Sequence, residues 1–214
     1  MAEYRDAIMK PFVQISGAAI PMPMDDVNTD QIIPSAYLKD LNASMADGFM
    51  AYARRRPDGS TIESCVLEQA PYKGAPILLV GSNFGCGSSR EHAVWALQAF
   101  GIRCVVGHRL AEFFRDNCYK NGVLPMELSA SHMATWMQAA LVCGGRHPFT
   151  VDLQTQQVSG PNGFHLSFEV PTAQRWALLN GLDDIGLTLE NLSLIEAWEA
   201  RQTLGPASSL PIDV

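Results

Sequence analysis

Ile77-Leu78-Leu79-Val80-Gly81-Ser82-Asn83-Phe84-Gly85-Cys86-Gly87-Ser88-Ser89-Arg90-Glu91-His92 is the stretch on which the fold turns. Its first four residues form an apolar run between Pro76 and Gly81, which reads as a buried strand. Residues 88–100 read as a helix, with Ala93, Leu97 and Phe100 on one face and Gly101 as its stop. Between them lies a glycine-rich loop. Strand, loop and helix in that order form the unit from which parallel sheets are built, and ligands commonly sit at that corner.

Working outward, Cys104-Val105-Val106-Gly107 reads as a second buried strand and residues 110–119 as a helix. Residues 122–126 read as a strand, with Pro125 near a sheet edge. The repetition predicts an α/β class with a largely parallel core. Further on, Met133, Trp136, Met137, Ala140 and Leu141 fall on one helix face. Residues 149–153 and 164–168 alternate in polarity around Pro161-Asn162-Gly163 and predict a hairpin. Helices are expected over 172–180 and 188–201. Upstream, residues 12–17 predict a short strand and residues 21–30 a turn-rich stretch. Residues 35–74 show no clean period apart from a short helix near 46–54, and are expected to form a long, partly mobile excursion. Residues 1–204 are expected to make one domain, and 205–214 a loose tail.

The chain has 214 residues, 47% of them hydrophobic, with a formal net charge of −7. That composition suits a globular protein with a substantial core, and the acidic balance argues against nucleic-acid binding. No apolar run approaches the roughly 18 residues of a membrane-spanning helix, and the N-terminus does not read as a secretory signal. Cys65, Cys86, Cys104, Cys118 and Cys143 are odd in number and include no C-x-x-C pair. A metal site built by this chain alone is not expected; free thiols in the cytoplasm are.

The densest chemistry lies in Gly81–Gly87 and the residues just after it. The glycines allow sharp turns and close approach to a ligand. The helix start and Arg90 favour a bound anion, and Arg90 has the fork geometry to hold a carboxylate. Ser88 and Glu91 also match a capping box, and the two readings are not exclusive. The stretch is neither a P-loop, since no lysine follows, nor a dinucleotide fingerprint, since Arg90 stands where a small residue is required. No G-x-S-x-G elbow is present. Elsewhere, Asn28-Thr29-Asp30-Gln31-Ile32-Ile33-Pro34 reads as a turn before an extended segment, and Lys39 in Tyr37-Leu38-Lys39 as a solvated cation.

The order of these segments resembles the small subunits of the 3-isopropylmalate dehydratase family, relatives of the swivelling domain of aconitases. The likeness rests on Asn28 to Pro34, Tyr37 to Lys39, the specific run Asn83 to Ala93, and Asn180-Gly181-Leu182-Asp183-Asp184-Ile185-Gly186-Leu187-Thr188-Leu189. It implies a swivelling β/β/α domain and a large partner subunit that carries a four-iron, four-sulfur cluster. The pair would isomerise 2-isopropylmalate and 3-isopropylmalate by dehydration and rehydration, in leucine biosynthesis. By motif position it implies Ser88 as the base, Ser89 and Arg90 as carboxylate-holding groups, Thr29 and Asp30 as a loop facing the substrate, and Lys39 as a selectivity residue. No cofactor is implied for this chain itself.

Serine is a poor base, and a helix N-terminus adds at most about 2 kcal/mol, so water exclusion on subunit closure is expected to supply the rest. Two positions where the family often has an acid hold Asn28 and Ser82 here. That leaves open a related hydro-lyase acting on another substituted malate, of dimethylmalate or citraconate type. Ser88 and Arg90 argue against a non-catalytic binding module on the same fold.

Overall fold

A strand whose residues are all apolar has two faces to cover, because successive side chains point opposite ways. Ile77 to Val80 is such a strand, and the molecule is layered around it. The computed structural model describes residues 9–39 and 44–201. Within these residues the order starts with β1 (Gln14–Gly17), β2 (Ala19–Met22), α1 (Thr29–Ile32), α2 (Ala36–Lys39), α3 (Met45–Gly48) and α4 (Ala51–Arg54). There follow β3 (Ile77–Val80), α5 (His92–Phe100), β4 (Cys104–Gly107), α6 (Glu112–Lys120), β5 (Leu124–Glu127) and α7 (Ala130–Cys143). The remainder is β6 (Phe149–Asp152), β7 (Gln157–Ser159), β8 (His165–Ser167), α8 (Thr172–Asn180), α9 (Asp184–Leu189) and α10 (Leu192–Glu199).

Strands β2, β3, β4 and β5 form a parallel sheet in that order, with Ile20 opposite Leu78, Leu78 opposite Val105 and Val105 opposite Pro125. One face, with Ile20, Leu78, Val80 and Val105, packs under Phe49, Leu67, Tyr72, Val94, Leu97 and Phe114. The other, with Ala19, Ile77, Leu79, Cys104 and Val106, packs on Trp136 of α7 and on Phe149, Val151, Val158 and Leu166. Those last residues belong to an antiparallel sheet ordered β1-β6-β7-β8. Antiparallel sheet, parallel sheet and helices make the expected β/β/α layering. Only Ala18 separates β1 from β2, yet the two strands enter different sheets.

Several expectations change. The stretch read as turns from residue 21 begins inside β2, which is wholly buried. Pro21 is tolerated because β2 is an edge strand, as is β5 with Pro125. The hairpin of 149–153 with 164–168 does not form: β7 lies between β6 and β8 and pairs with both. Residues 44–74 are not a loose excursion. Phe49, Met50, Leu67 and Tyr72 are buried, and Arg54, 5% exposed, clasps the segment. Its Nε donates to Glu68 at 2.6 Å, and its Nη1 donates to the Ala46 and Phe49 carbonyls at 2.8 and 2.9 Å. Its guanidinium lies 4.7 Å from the Phe100 ring centre. The last predicted helix, over 188–201, is α10, and a separate short helix that was not predicted, α9, precedes it. The tail from 205 lies outside the described residues.

Candidate active site

Parallel strands release their following loops at one edge of the sheet. The loops after β2, β3 and β4 meet there and pair through their backbones. The Asp26 N–H donates to Ser82 O (2.9 Å), the Gly85 N–H to Val27 O (2.7 Å) and the Thr29 N–H to Cys86 O (2.9 Å). On the other side the Asn83 N–H donates to Arg109 O (2.8 Å) and the Ala111 N–H to Phe84 O (3.0 Å). The glycine-rich loop is thus the middle strip of a three-segment ribbon. Gly85 has φ +81°, and a Cβ there would overlap the Phe114 ring. Asp25 fastens the strip further by accepting the Ser82 N–H at 2.6 Å, and Asp26 Oδ1 accepts from Asn83 Nδ2 at 2.8 Å.

The ribbon moves the helix start. α5 begins at His92, and its N-terminal flank, Glu91, makes no side-chain cap. Ser88 is therefore not a cap and Ser88–Glu91 is not a capping box. The competing bonds are tertiary. The Ser88 N–H donates to Thr29 Oγ1 at 3.3 Å, and the two hydroxyl oxygens lie 2.8 Å apart. Glu91 Oε1 accepts from Asn121 Nδ2 at 2.7 Å, and the Ser89 carbonyl accepts from Asn117 Nδ2 at 3.1 Å. A capping box does exist at α1. Asn28 Oδ1 accepts the Gln31 N–H at 2.9 Å while Gln31 Oε1 accepts the Asn28 N–H at 2.8 Å. The amide at position 28 thus serves the local backbone.

Arg90 Nη1 donates to Asp30 Oδ1 at 2.5 Å and to the Ile33 carbonyl at 3.4 Å. Both bonds use one nitrogen. Nη2 and Nε make no hydrogen bond among the described residues, which leaves part of the fork open to an anion. Thr29, Asp30, Ser88, Ser89 and Arg90 come together, from segments about 60 residues apart in sequence. Thr29 is buried, whereas Ser88 and Ser89 are exposed. Lys39 is exposed at the end of α2 and makes no hydrogen bond or ion pair with these residues among the described ones. His108 Nδ1 lies 3.0 Å from the Leu128 carbonyl, and the His92 ring packs 4.5 Å from Trp95; neither joins the cluster by a hydrogen bond. Sequence reading missed Asn117 and Asn121. Their signal was available: amides four residues apart lie on one face of a helix.

The cysteines do not fit an iron–sulfur cluster. Cys104 and Cys118 are fully buried, and burial pushes both thiols up, away from the thiolate that iron requires. Cys86 Sγ lies 3.5 Å from the Asp26 carbonyl. No three His, Cys, Asp or Glu side chains gather as a metal site among the described residues. Nor is any helix among them long and apolar enough to cross a membrane.

Residues 9–131 match the model of the aconitase C-terminal domain. The chain is 46% identical over 192 residues to a 3-isopropylmalate dehydratase small subunit of Allorhizobium ampelinum, covering 89% of this chain and 95% of that one. With a 3-isopropylmalate dehydratase small subunit of Brucella anthropi the identity is 43% over 195 residues, 91% and 96% of the two chains. Among solved structures, a 3-isopropylmalate dehydratase from Methanocaldococcus jannaschii superposes with a TM-score of 0.61 at 26% identity. That match covers 87% of this chain and 99% of the other.

Proposed function

This chain belongs to the aconitase C-terminal domain family, among the small subunits of 3-isopropylmalate dehydratase, and from that premise we propose how its share of the chemistry is done. The enzyme is a hydro-lyase of leucine biosynthesis that interconverts 2-isopropylmalate and 3-isopropylmalate. The bond to break is a carbon–hydrogen bond beside a carboxylate, so the site must supply a base and stabilise the negative charge that develops. Ser88 is the base. Ser89 and the open side of the Arg90 guanidinium hold a substrate carboxylate, and Asp30 fixes the orientation of Arg90. Lys39 bears on the substrate side chain.

The observation that carries this reading is the pairing of Ser88 with Thr29 next to the Arg90–Asp30 ion pair, on a sheet edge where both serines face outward. While the site is open to water, the attraction of Arg90 for a substrate carboxylate and for the negative charge of the reaction is screened. The exposed half-site therefore calls for a large subunit that closes over it and excludes water. The cysteines of this chain do not fit the family's iron–sulfur cluster, so we assign that group to the large subunit and route no step through it. The 1–204 unit is the part that moves against the partner, in the cytoplasm.

The test is Ser88→Ala and Ser88→Gly, each assembled with the large subunit and assayed anaerobically with 2-isopropylmalate, citraconate and citrate. Because Ser88 caps no helix, the cost in stability is confined to its hydrogen bond with Thr29 and should be about 1 kcal/mol. Both should lose on the order of 100-fold or more in kcat. An assembled and fully active Ser88→Gly enzyme would overturn the assignment.

A further inference from the structure

The environment of Ser88 differs from that of a residue in the first turn of a helix. α5 starts at His92, four residues on, and the favourable field of a helix end falls off within a turn. Another group must favour Ser88 Oγ in its proton-free form, and the side chain's hydrogen-bond partner is Thr29 Oγ1 at 2.8 Å. Thr29 is 1% exposed, its N–H is given to Cys86 O, and its carbonyl takes the Ile33 N–H at 2.9 Å. Its backbone is thus fixed on both sides, and its branched side chain is stiff. The Thr29 oxygen also accepts the Ser88 N–H at 3.3 Å. A hydroxyl has one proton and two lone pairs. With a lone pair committed to that amide, its proton is free for Ser88 Oγ.

We propose, resting on the reading of Ser88 as base, that Thr29 is a positioning residue for that base: its buried hydroxyl donates into Ser88 Oγ and stabilises the oxygen in its proton-free form. While both hydroxyls carry protons, either can donate across the 2.8 Å contact. Once Ser88 has none, only Thr29 can. The bond is then made to a charged acceptor and strengthens, so it favours the proton-free state and lowers the proton affinity of Ser88. In the reaction the Ser88 oxygen forms an O–H bond with the substrate hydrogen. The C–H bond breaks, and its electron pair stays on the carbon beside the carboxylate. In the reverse addition the same O–H returns the proton. Thr29 keeps its own proton throughout. This role differs from that of a loop residue touching the substrate, which burial does not favour.

The test compares Thr29→Val, which keeps the shape and removes the hydroxyl, with Thr29→Ser, which keeps the hydroxyl, in the complex with the large subunit. Thr29→Val should lower kcat on the order of 10- to 100-fold with KM little changed. Exchange of the substrate's carbon-bound hydrogen with solvent should fall in parallel. The rising limb of kcat against pH should move to higher pH, since a base of higher proton affinity needs a more alkaline medium. Thr29→Ser should restore most of the activity and return the limb. A rise in KM with exchange and pH profile unchanged would make Thr29 a substrate contact and overturn the proposal, as would a fully active Thr29→Val. If the valine variant fails to assemble, Thr29→Ala against Thr29→Ser carries the same comparison. Ser88→Ala run alongside separates the two failures. An inactive Ser88→Ala with an active Thr29→Val removes the role of Thr29 alone, whereas an active Ser88→Ala removes the base itself.

Discussion

Two irregular segments border the helical face of the parallel sheet, and they are held by opposite means. The ribbon through residues 81–91 is tied mainly by backbone groups, and its side chains Ser88 and Ser89 point out. The segment 44–74 is tied by side chains: Phe49, Leu67 and Tyr72 in the core, and Arg54 bonded to Glu68 and two carbonyls. Fixing a loop by its backbone frees its side chains for chemistry. Fixing it by its side chains spends them on stability. Substitutions in the two segments should therefore separate into losses of folding and losses of reaction.

The sharpest break is Arg54→Ala. It strips a buried partner from Glu68, leaves two carbonyls without their donor, and should destabilise the chain by about 3 kcal/mol or more. Urea unfolding would measure this, and kcat per assembled complex should be unchanged. A loss of kcat in fully folded material would show that residues 44–74 take part in the chemistry. Gly85→Ala acts on the backbone of the ribbon itself. Positive φ and the overlap with Phe114 should cost about 1–3 kcal/mol, and displacement of Ser88 should lower kcat on the order of 10-fold or more. A stable, active Gly85→Ala would mean that the ribbon yields at its contact with Phe114. The smallest effect is expected at Lys39, which is exposed and outside the clustered residues. Lys39→Ala should leave stability within about 0.5 kcal/mol while shifting the ratio of kcat/KM values among substituted malates. Unchanged ratios across 2-isopropylmalate and dimethylmalate would remove its selectivity role.

The comparison also explains what could be read from residues alone. Ile77 to Val80 and Cys104 to Gly107 are uninterrupted apolar runs, and both strands fall where those runs predict. Strand β2 was hidden because Pro21 and Pro23 signal turns, and only its place at a sheet edge makes Pro21 harmless. The helices in 44–54 are four residues long, too short to show a period, and their burial depends on Arg54 finding Glu68 fourteen positions away. At the site, the residue types were legible but the helix start was not. Ser88 to Glu91 has a sound local capping pattern, and it loses to Thr29, to Asn117 of α6 and to Asn121 just after α6, which no local window contains.

The single-residue step from β1 to β2 has a consequence for how the chain is made. The partner of β2 is β3, with Ala19 opposite Ile77, but the partner of β1 is β6, with Gln14 opposite Asp152. A polypeptide emerging N-terminus first can zip its parallel sheet once β5 has left the ribosome, while the residues just ahead of β2 stay unpaired. Ser16 meets Thr150 across 134 positions of chain. Closing a loop of that span carries an entropic cost that early synthesis cannot repay. The first of the described strands to be synthesised is thus among the last to find its place, and the antiparallel layer stays open until Asp152 arrives.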